Sequence, residues 1–478
     1  MPESKQGLGL QVTSLTIARF IPIFGALAVS VTLTRILTQA EYGHYRSIWL
    51  LFLLAGPVIS SSLNNALYHR GEKKSFSNPV RAVVLLSVIA GIVLGSIISF
   101  GAPFWAETLH IPHLITAIQF FGIYVMLLIV CGMAEPVFML IERKKWLLGY
   151  NLISQISEYS FIVIPFLMGY SITEVMGFML IFPLLRMIFL IWLIFSHTNQ
   201  ATEIPAEVKK ISSYSFGLFM MGIAGYAAYQ MDTWIVRIFT EDDALFALFE
   251  IGARKIPLIG AVTSAVSSTL ILTYSQLTAG GDEKPFLHQI KRSSTLLMQI
   301  AVPVLIVLFL FAEEVLIILY QKYAAAAPVF RIYLVIVLTN FIFADVYLLA
   351  KGKSREVARV SWAELTLNLV LSITFFKIWG WMGPAFASLS GHILYVLLCF
   401  RLARNYGDVH LRDFLPENII FTFSVYCIVS YLFMIVCNLI FPEIISFFVV
   451  LFSVSALVGI QKRAEIKDFI KILTSSRA

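Results

Sequence analysis

Fourteen apolar runs, each of 18 residues or more, follow one another from residue 11 to residue 461, and no other feature narrows the fold so far. As a helix rising ~1.5 Å per residue, such a run crosses the ~30 Å hydrocarbon core of a bilayer. In lipid every backbone N–H and C=O must be satisfied inside the chain, which a helix does by itself. The runs lie at about 11–35, 46–67, 80–103, 112–141, 147–169, 173–196, 211–238, 244–277, 288–312, 325–350, 356–377, 380–402, 416–440 and 443–461. With 59% hydrophobic and 13% charged residues, against roughly 25% charged in soluble domains, the chain reads as an all-α polytopic membrane protein. The connections are too short for a soluble domain.

A net charge of +7 would suit nucleic acid, but the cations follow topology instead. Arg70, Lys73, Lys74 and Arg81, then Arg143 to Lys145, Lys209 and Lys210, Lys284, Lys291 and Arg292, Lys351 to Arg359, and Arg401 to Arg412 all fall after even-numbered runs. Lys5 and the tail from Lys462 share their side. Because cytoplasmic loops carry the excess of Lys and Arg, both termini are expected in the cytoplasm and the chain in the inner membrane. Nucleic acid is excluded as a partner. Cys131, Cys399, Cys427 and Cys437 sit inside apolar runs without metal-ligand spacing, so no metal and no cofactor is expected.

The segment Arg35 to Glu41 after the first run resembles Arg237 to Asp243 after the seventh. An even number of runs separates the copies, which makes them parallel repeats about an axis normal to the membrane. The expected architecture is two pseudo-symmetric six-helix lobes, 1–197 and 211–410, around a central cavity. A linker at 198–210 joins them, helices 13 and 14 occupy 411–461, and an amphipathic tail follows at 462–478.

Charges inside the runs point to function, since a charge at mid-membrane must face protein or trapped water. Glu250 and Arg254 are spaced i, i+4 and can pair on one helix face, while Lys255 has no local partner. The alternatives are a structural ion pair or a wet cavity with surplus positive charge for an anionic ligand. Arg186 lies near mid-membrane, where Glu158 is its rival use; Arg19 is near enough to a helix end to snorkel.

Several segments resemble one family. Leu37-Thr38-Gln39-Ala40-Glu41-Tyr42-Gly43-His44-Tyr45, followed by Ser62-Leu63-Asn64-Asn65-Ala66-Leu67, resembles the opening of bacterial polysaccharide exporters of the Wzx flippase type. Asp232 with Phe249 to Lys255, Leu319 to Arg331, and Gly380 to Ala387 are similar to later parts of the same family in the same order, with Gln321 and Thr273-Tyr274-Ser275 as departures. The family belongs to the MOP exporter superfamily with the lipid II flippases and MATE transporters. The resemblance implies a carrier that moves an undecaprenyl-pyrophosphate-linked oligosaccharide, such as an O-antigen, capsule or exopolysaccharide unit, to the outer leaflet by alternating access.

Such a substrate needs a cationic, hydrated cleft, because an unpaired phosphate in a low-dielectric core costs tens of kcal/mol on a Born basis. Arg19, Arg186, Arg254 and Lys255 are the expected pyrophosphate set, the arginine fork suiting phosphate. Asn64, Asn65, Tyr226, Tyr229 and Gln230 are the expected sugar contacts. Glu158, Glu250, Asp232, Glu364 and His392 are candidates for coupling to H+ or Na+. Pro22, Gly25, Gly217, Gly222, Gly225 and Pro257 mark places for bending or close packing. A glycan polymerase or ligase is a possible partner, alongside membrane lipids. A MATE-like multidrug or cation antiporter is the rival reading, favoured by an acidic cavity; no nucleophile or metal constellation supports an enzyme.

Overall fold

The computed structural model describes residues 5–70, 77–141, 144–197, 204–254, 256–278, 282–415 and 419–463, and every regular element among them is helical. The chain divides into two compact units, Met1–Gln230 with Arg237–Ala247, and Met231–Val236 with Leu248–Ala478. In chain order come α1 (Lys5–Ile36), α2 (Gln39–Leu53), α3 (Gly56–Arg70), α4 (Ser77–Phe100), α5 (Ala102–Thr108), α6 (Ile115–Cys131) and α7 (Ala134–Leu140). They are followed by α8 (Lys144–Leu167), α9 (Ile172–Phe178), α10 (Ile181–His197), α11 (Ile204–Phe239) and α12 (Asp243–Gly252). The remainder is α13 (Pro257–Leu277), α14 (Lys284–Leu310), α15 (Ala312–Tyr320), α16 (Ala327–Thr339), α17 (Ala344–Ala350), α18 (Ser354–Trp379), α19 (Gly383–Tyr406), α20 (Ile419–Ile440) and α21 (Glu443–Gln461).

Each of the fourteen expected runs is helical over most of its described residues. Among the described residues, eight helical segments are long and apolar enough to cross a membrane, or nine if the bent pair α16 and α17 is one span. The second, fourth, sixth, eighth and tenth runs are each two helices with a short break between them. Proline accounts for four of these breaks. Pro57, Pro136, Pro183 and Pro257 each fall in the first turn of the second helix, where a missing N–H costs no bond, and each ring displaces the carbonyl four residues back. Ile256, ahead of Pro257, is extended at ψ 107°, as the residue before proline must be.

The helix order of the first unit recurs in the second. A long helix, a short one, a single 3-10 turn and a broken span form α4 to α7, and the same sequence of elements forms α14 to α17. The connection expected at 198–210 comprises residues 198–203, outside the described set, and Ile204–Lys210, which begin α11. The tail expected beyond residue 463 also lies outside it.

In the first unit α6 packs on α4, α9 and α10, and α1 on α8. The α4 contact depends on small residues: a Cβ on Gly95 would lie 2.6 Å from the Gly122 carbonyl oxygen, and one on Gly122 the same distance from that of Gly95. The backbones therefore approach to van der Waals distance, which is what drives helix association in lipid. The opposite face of α4 carries Ile89, Ile92, Val93 and Ile97, all exposed, a stripe suited to lipid tails. In the second unit α19 packs on α16, α17 and α18, and α14 on α20 and α21.

Candidate functional site

Arg254 and Glu250 form the pair expected from their spacing, by a different geometry. The helix ends at Gly252, so Arg254 lies in the break between α12 and α13 rather than within a helix. Its Nη2 donates to both carboxylate oxygens of Glu250, at 3.0 and 3.1 Å, and its guanidinium lies 5.6 Å from the Tyr320 ring centre. Glu250 is buried, whereas Arg254 keeps 22% of its side chain exposed. A cation held at a helix break by a buried carboxylate is oriented yet still accessible. Lys255 lies outside the described residues.

Arg186 and Glu158 share a small cavity in the first unit with Tyr124, Phe161, Phe182 and Pro183, with room for about one water molecule. The direct ion pair weighed from the sequence is not made: among the described residues none joins them within 4.0 Å. Arg186 Nε instead donates to the Tyr150 hydroxyl at 3.2 Å, and the guanidinium lies over the Tyr150 and Phe182 rings. Glu158 accepts from Tyr124 at 3.5 Å and from Gln155 at 3.4 Å. Aromatic faces and one hydroxyl thus hold Arg186 where a carboxylate was the candidate partner. Arg19 lies in α1, and its side chain is outside what the structure describes.

Asp232 is buried in the second unit and sits at the end of a hydrogen-bonded chain. Its Oδ1 accepts from the Thr233 amide at 2.7 Å, and its Oδ2 from Ser388 Oγ at 3.1 Å. The Asn368 amide donates to Ser388 at 3.3 Å, and Ser372 donates to Asn368 at 2.8 Å. Sequence reasoning found Asp232 but missed Ser388, Asn368 and Ser372. The signal was present: Glu364, Asn368 and Ser372 repeat every four residues on an apolar helix, as do Ser388 and His392 on the next. One turn along that seam, His392 Nδ1 lies 3.4 Å from Glu364 Oε1 and Nε2 lies 3.0 Å from Asn340 Oδ1.

The expected sugar contacts are divided between two helices, α3 and α11. Asn64 spends its amide on the Gly132 carbonyl oxygen at 3.0 Å, which bridges α3 to the end of α6, while Asn65 is exposed. Tyr226 and Tyr229 stack at 6.2 Å on α11, Tyr229 is exposed, and Gln230 follows them half-buried. Of the expected hinges, Pro257 marks a break and Pro22 lies inside continuous α1. A Cβ on Gly217 or Gly225 would meet nothing within 4 Å, so close packing does not explain them, whereas one on Gly25 would strike Gln155.

The sequence over residues 32–328 matches the family model described as polysaccharide biosynthesis protein. The chain belongs to this polysaccharide biosynthesis protein family. No curated protein sequence matches it. The fold of this polysaccharide biosynthesis protein is similar to that of a solved structure described as lipid II flippase MurJ in an inward closed conformation, at 15% identity and a TM-score of 0.74, over 95% of this chain and 99% of the other. It is also similar to an inward-facing multidrug resistance MATE family transporter of the MOP superfamily, at 12% identity and a TM-score of 0.58, over 83% and 98% of the two chains. A third likeness is to a MOP superfamily transporter from Pyrococcus furiosus, at 13% identity and a TM-score of 0.52, over 82% and 94%. The polysaccharide biosynthesis protein is thus a multi-pass membrane protein with the MOP superfamily fold.

Proposed function

We propose that this protein moves an undecaprenyl-pyrophosphate-linked oligosaccharide from the cytoplasmic to the outer leaflet of the inner membrane by alternating access, with both termini in the cytoplasm. The observation that carries the reading is the polysaccharide biosynthesis family match laid on the fold of a lipid II flippase. The substrate's polyprenyl tail never has to leave lipid, so the protein need only shelter a pyrophosphate and a sugar head. Arg254 is suited to the pyrophosphate, because its fork is fixed by Glu250 and part-exposed, and phosphate matches that fork. Arg186, Lys255 and Arg19 complete the cationic set, on spans drawn from residues 1–197 and 211–410. Tyr226 and Tyr229 offer stacked faces for a sugar, with Asn64, Asn65 and Gln230 as weaker amide contacts.

Transport is coupled to H+ or Na+ through carboxylates within the apolar runs. Asp232, with its hydroxyl and amide neighbours, offers the oxygen-rich surroundings a cation takes; Glu158, Glu250, Glu364 and His392 are the further candidates. The protein makes and breaks no covalent bond, and a glycan polymerase or ligase receives the exported unit.

The test is outer-leaflet exposure of a labelled undecaprenyl-pyrophosphate oligosaccharide in sealed vesicles. Exposure that depends on the protein supports flipping. No exposure with any native glycan, together with efflux of a cationic dye, overturns it in favour of a MATE-like antiporter.

A further inference from the structure

His392 stands between two oxygen atoms. On one side its Nδ1 faces Glu364 Oε1 of α18 at 3.4 Å, and on the other its Nε2 faces Asn340 Oδ1 at 3.0 Å. A carboxylate and an amide oxygen only accept hydrogen bonds, and a neutral imidazole carries one N–H. Both contacts are satisfied together only when the ring is an imidazolium with a proton on each nitrogen.

We propose that His392 is a proton-binding switch whose charge state sets which end of the Asn340 side-chain amide faces it, at the break between α16 and α17. Removing one proton leaves a single N–H. The Glu364 carboxylate holds it on Nδ1, because a ring lone pair against that carboxylate is repelled. Nε2 then becomes an acceptor and requires a donor. Asn340 supplies one by a half-turn about its Cβ–Cγ bond, which exchanges its oxygen for its NH2. The proton is released to water, and 26% of the side chain is exposed.

The position gives the switch its consequence. Asn340 is the first residue after α16, and the helix pair it separates bends by 41°. No proline stands in this break, so polar contacts such as this one bear on its geometry. Histidine is the side chain whose charge changes in the physiological range. Besides Glu364, the charged and titratable groups near the ring are Asp345 of α17, which interacts with it electrostatically, and Tyr395 of its own helix. The Tyr395 ring stacks on it at 5.8 Å. This inference names one residue within the ion-coupled reading above, and its test is independent of transport.

The experiment is solid-state NMR of the protein in lipid bilayers with its eight histidines 15N-labelled, His392 being assigned by the resonance missing in His392→Gln. The expected result is a doubly protonated ring at low pH that passes to the Nδ1–H tautomer as pH rises. Asn340→Asp, which can present only oxygen when ionised, is expected to move that midpoint upward by about one pH unit or more. Asn340→Leu, which removes the acceptor, is expected to move it downward. A neutral ring protonated on Nε2, or a midpoint indifferent to both Asn340 variants, overturns the switch. A normal titration in a protein that flips no glycan overturns the transport reading and leaves the switch standing.

Discussion

Arg237, with none of its surface exposed, pairs with Asp243 at 2.7 Å across the turn between α11 and α12. By its position at the end of a long apolar run, this arginine is expected where water is at hand. The structure buries it instead, with its Nη2 donating to the Leu109 carbonyl oxygen and its guanidinium 5.2 Å from the Phe246 ring centre. Asp243 is held in turn by His44 Nε2 of α2 at 2.7 Å. Burying a guanidinium is tolerable only while its counter-charge remains. Asp243→Asn is therefore expected to destabilise the protein by about 3–5 kcal/mol, the usual result of removing one partner of a buried pair. Thermal unfolding in detergent measures this, with Arg237→Met/Asp243→Asn as the control. The double variant recovers much of the loss if the stranded charge is the cause. An unchanged melting temperature in Asp243→Asn would rule out the clasp.

The same corner depends on a glycine. A Cβ on Gly43 would collide with the Asp243 carbonyl oxygen, a backbone atom that cannot swing aside as a side chain would. Gly43→Ala is expected to push the start of α12 away from α2 at about 1–3 kcal/mol. It should also lengthen the His44–Asp243 contact. A structure of the variant with that contact at its present 2.7 Å would contradict this account.

Glu283 gives a pH dependence whose sign can be worked out. Partial burial raises its carboxyl, but hydrogen bonds from Lys351 and Tyr347, at 2.5 Å each, and the Lys351 charge outweigh burial and hold it below the usual carboxylate range. A carboxyl depressed in the folded state contributes stability above its unfolded value, about 4.3, and that contribution is lost as pH falls through the folded value. Lys351 also donates to the Tyr406 carbonyl oxygen, so one contact ties three connections of the second unit. Glu283→Gln is expected to melt lower than the parent at pH 7, with the gap closing as pH falls below about 4. A gap that is constant with pH would show that the carboxylate charge contributes nothing.

Hydropathy made the helices legible because crossing a bilayer demands length and composition together, and α1 to α21 cover all fourteen runs. The breaks were legible too, in Pro57, Pro136, Pro183 and Pro257, but only as a set of prolines each opening a second helix. Glu250 with Arg254 could be read from a spacing of four residues. Arg186 could not be placed, since its partner Tyr150 is one of 19 tyrosines and lies 36 residues away. The clasp was hidden for the same reason: His44 and Asp243 are 199 residues apart, and no local pattern joins them.

Arg254 and Glu250 separate a ligand-facing role from a structural one. If the pair only secures the helix break, either Arg254→Gln or Glu250→Gln removes the same contact, and both should lower stability and transport together. If Arg254 meets the pyrophosphate, the two substitutions diverge. Arg254→Gln is expected to abolish flipping in sealed vesicles while leaving membrane insertion intact, since its removal takes away the cation. Glu250→Gln keeps the cation and removes the carboxylate that competes with phosphate for its fork, so with coupling carried by Asp232 flipping should persist with a lower half-saturating substrate concentration. The gain is limited by the looser guanidinium, because Glu250 now holds it by two hydrogen bonds at 3.0 and 3.1 Å. Equal loss of flipping in both variants, with equal loss of thermal stability, would assign Arg254 to the scaffold and leave Arg186 as the described cation to pursue.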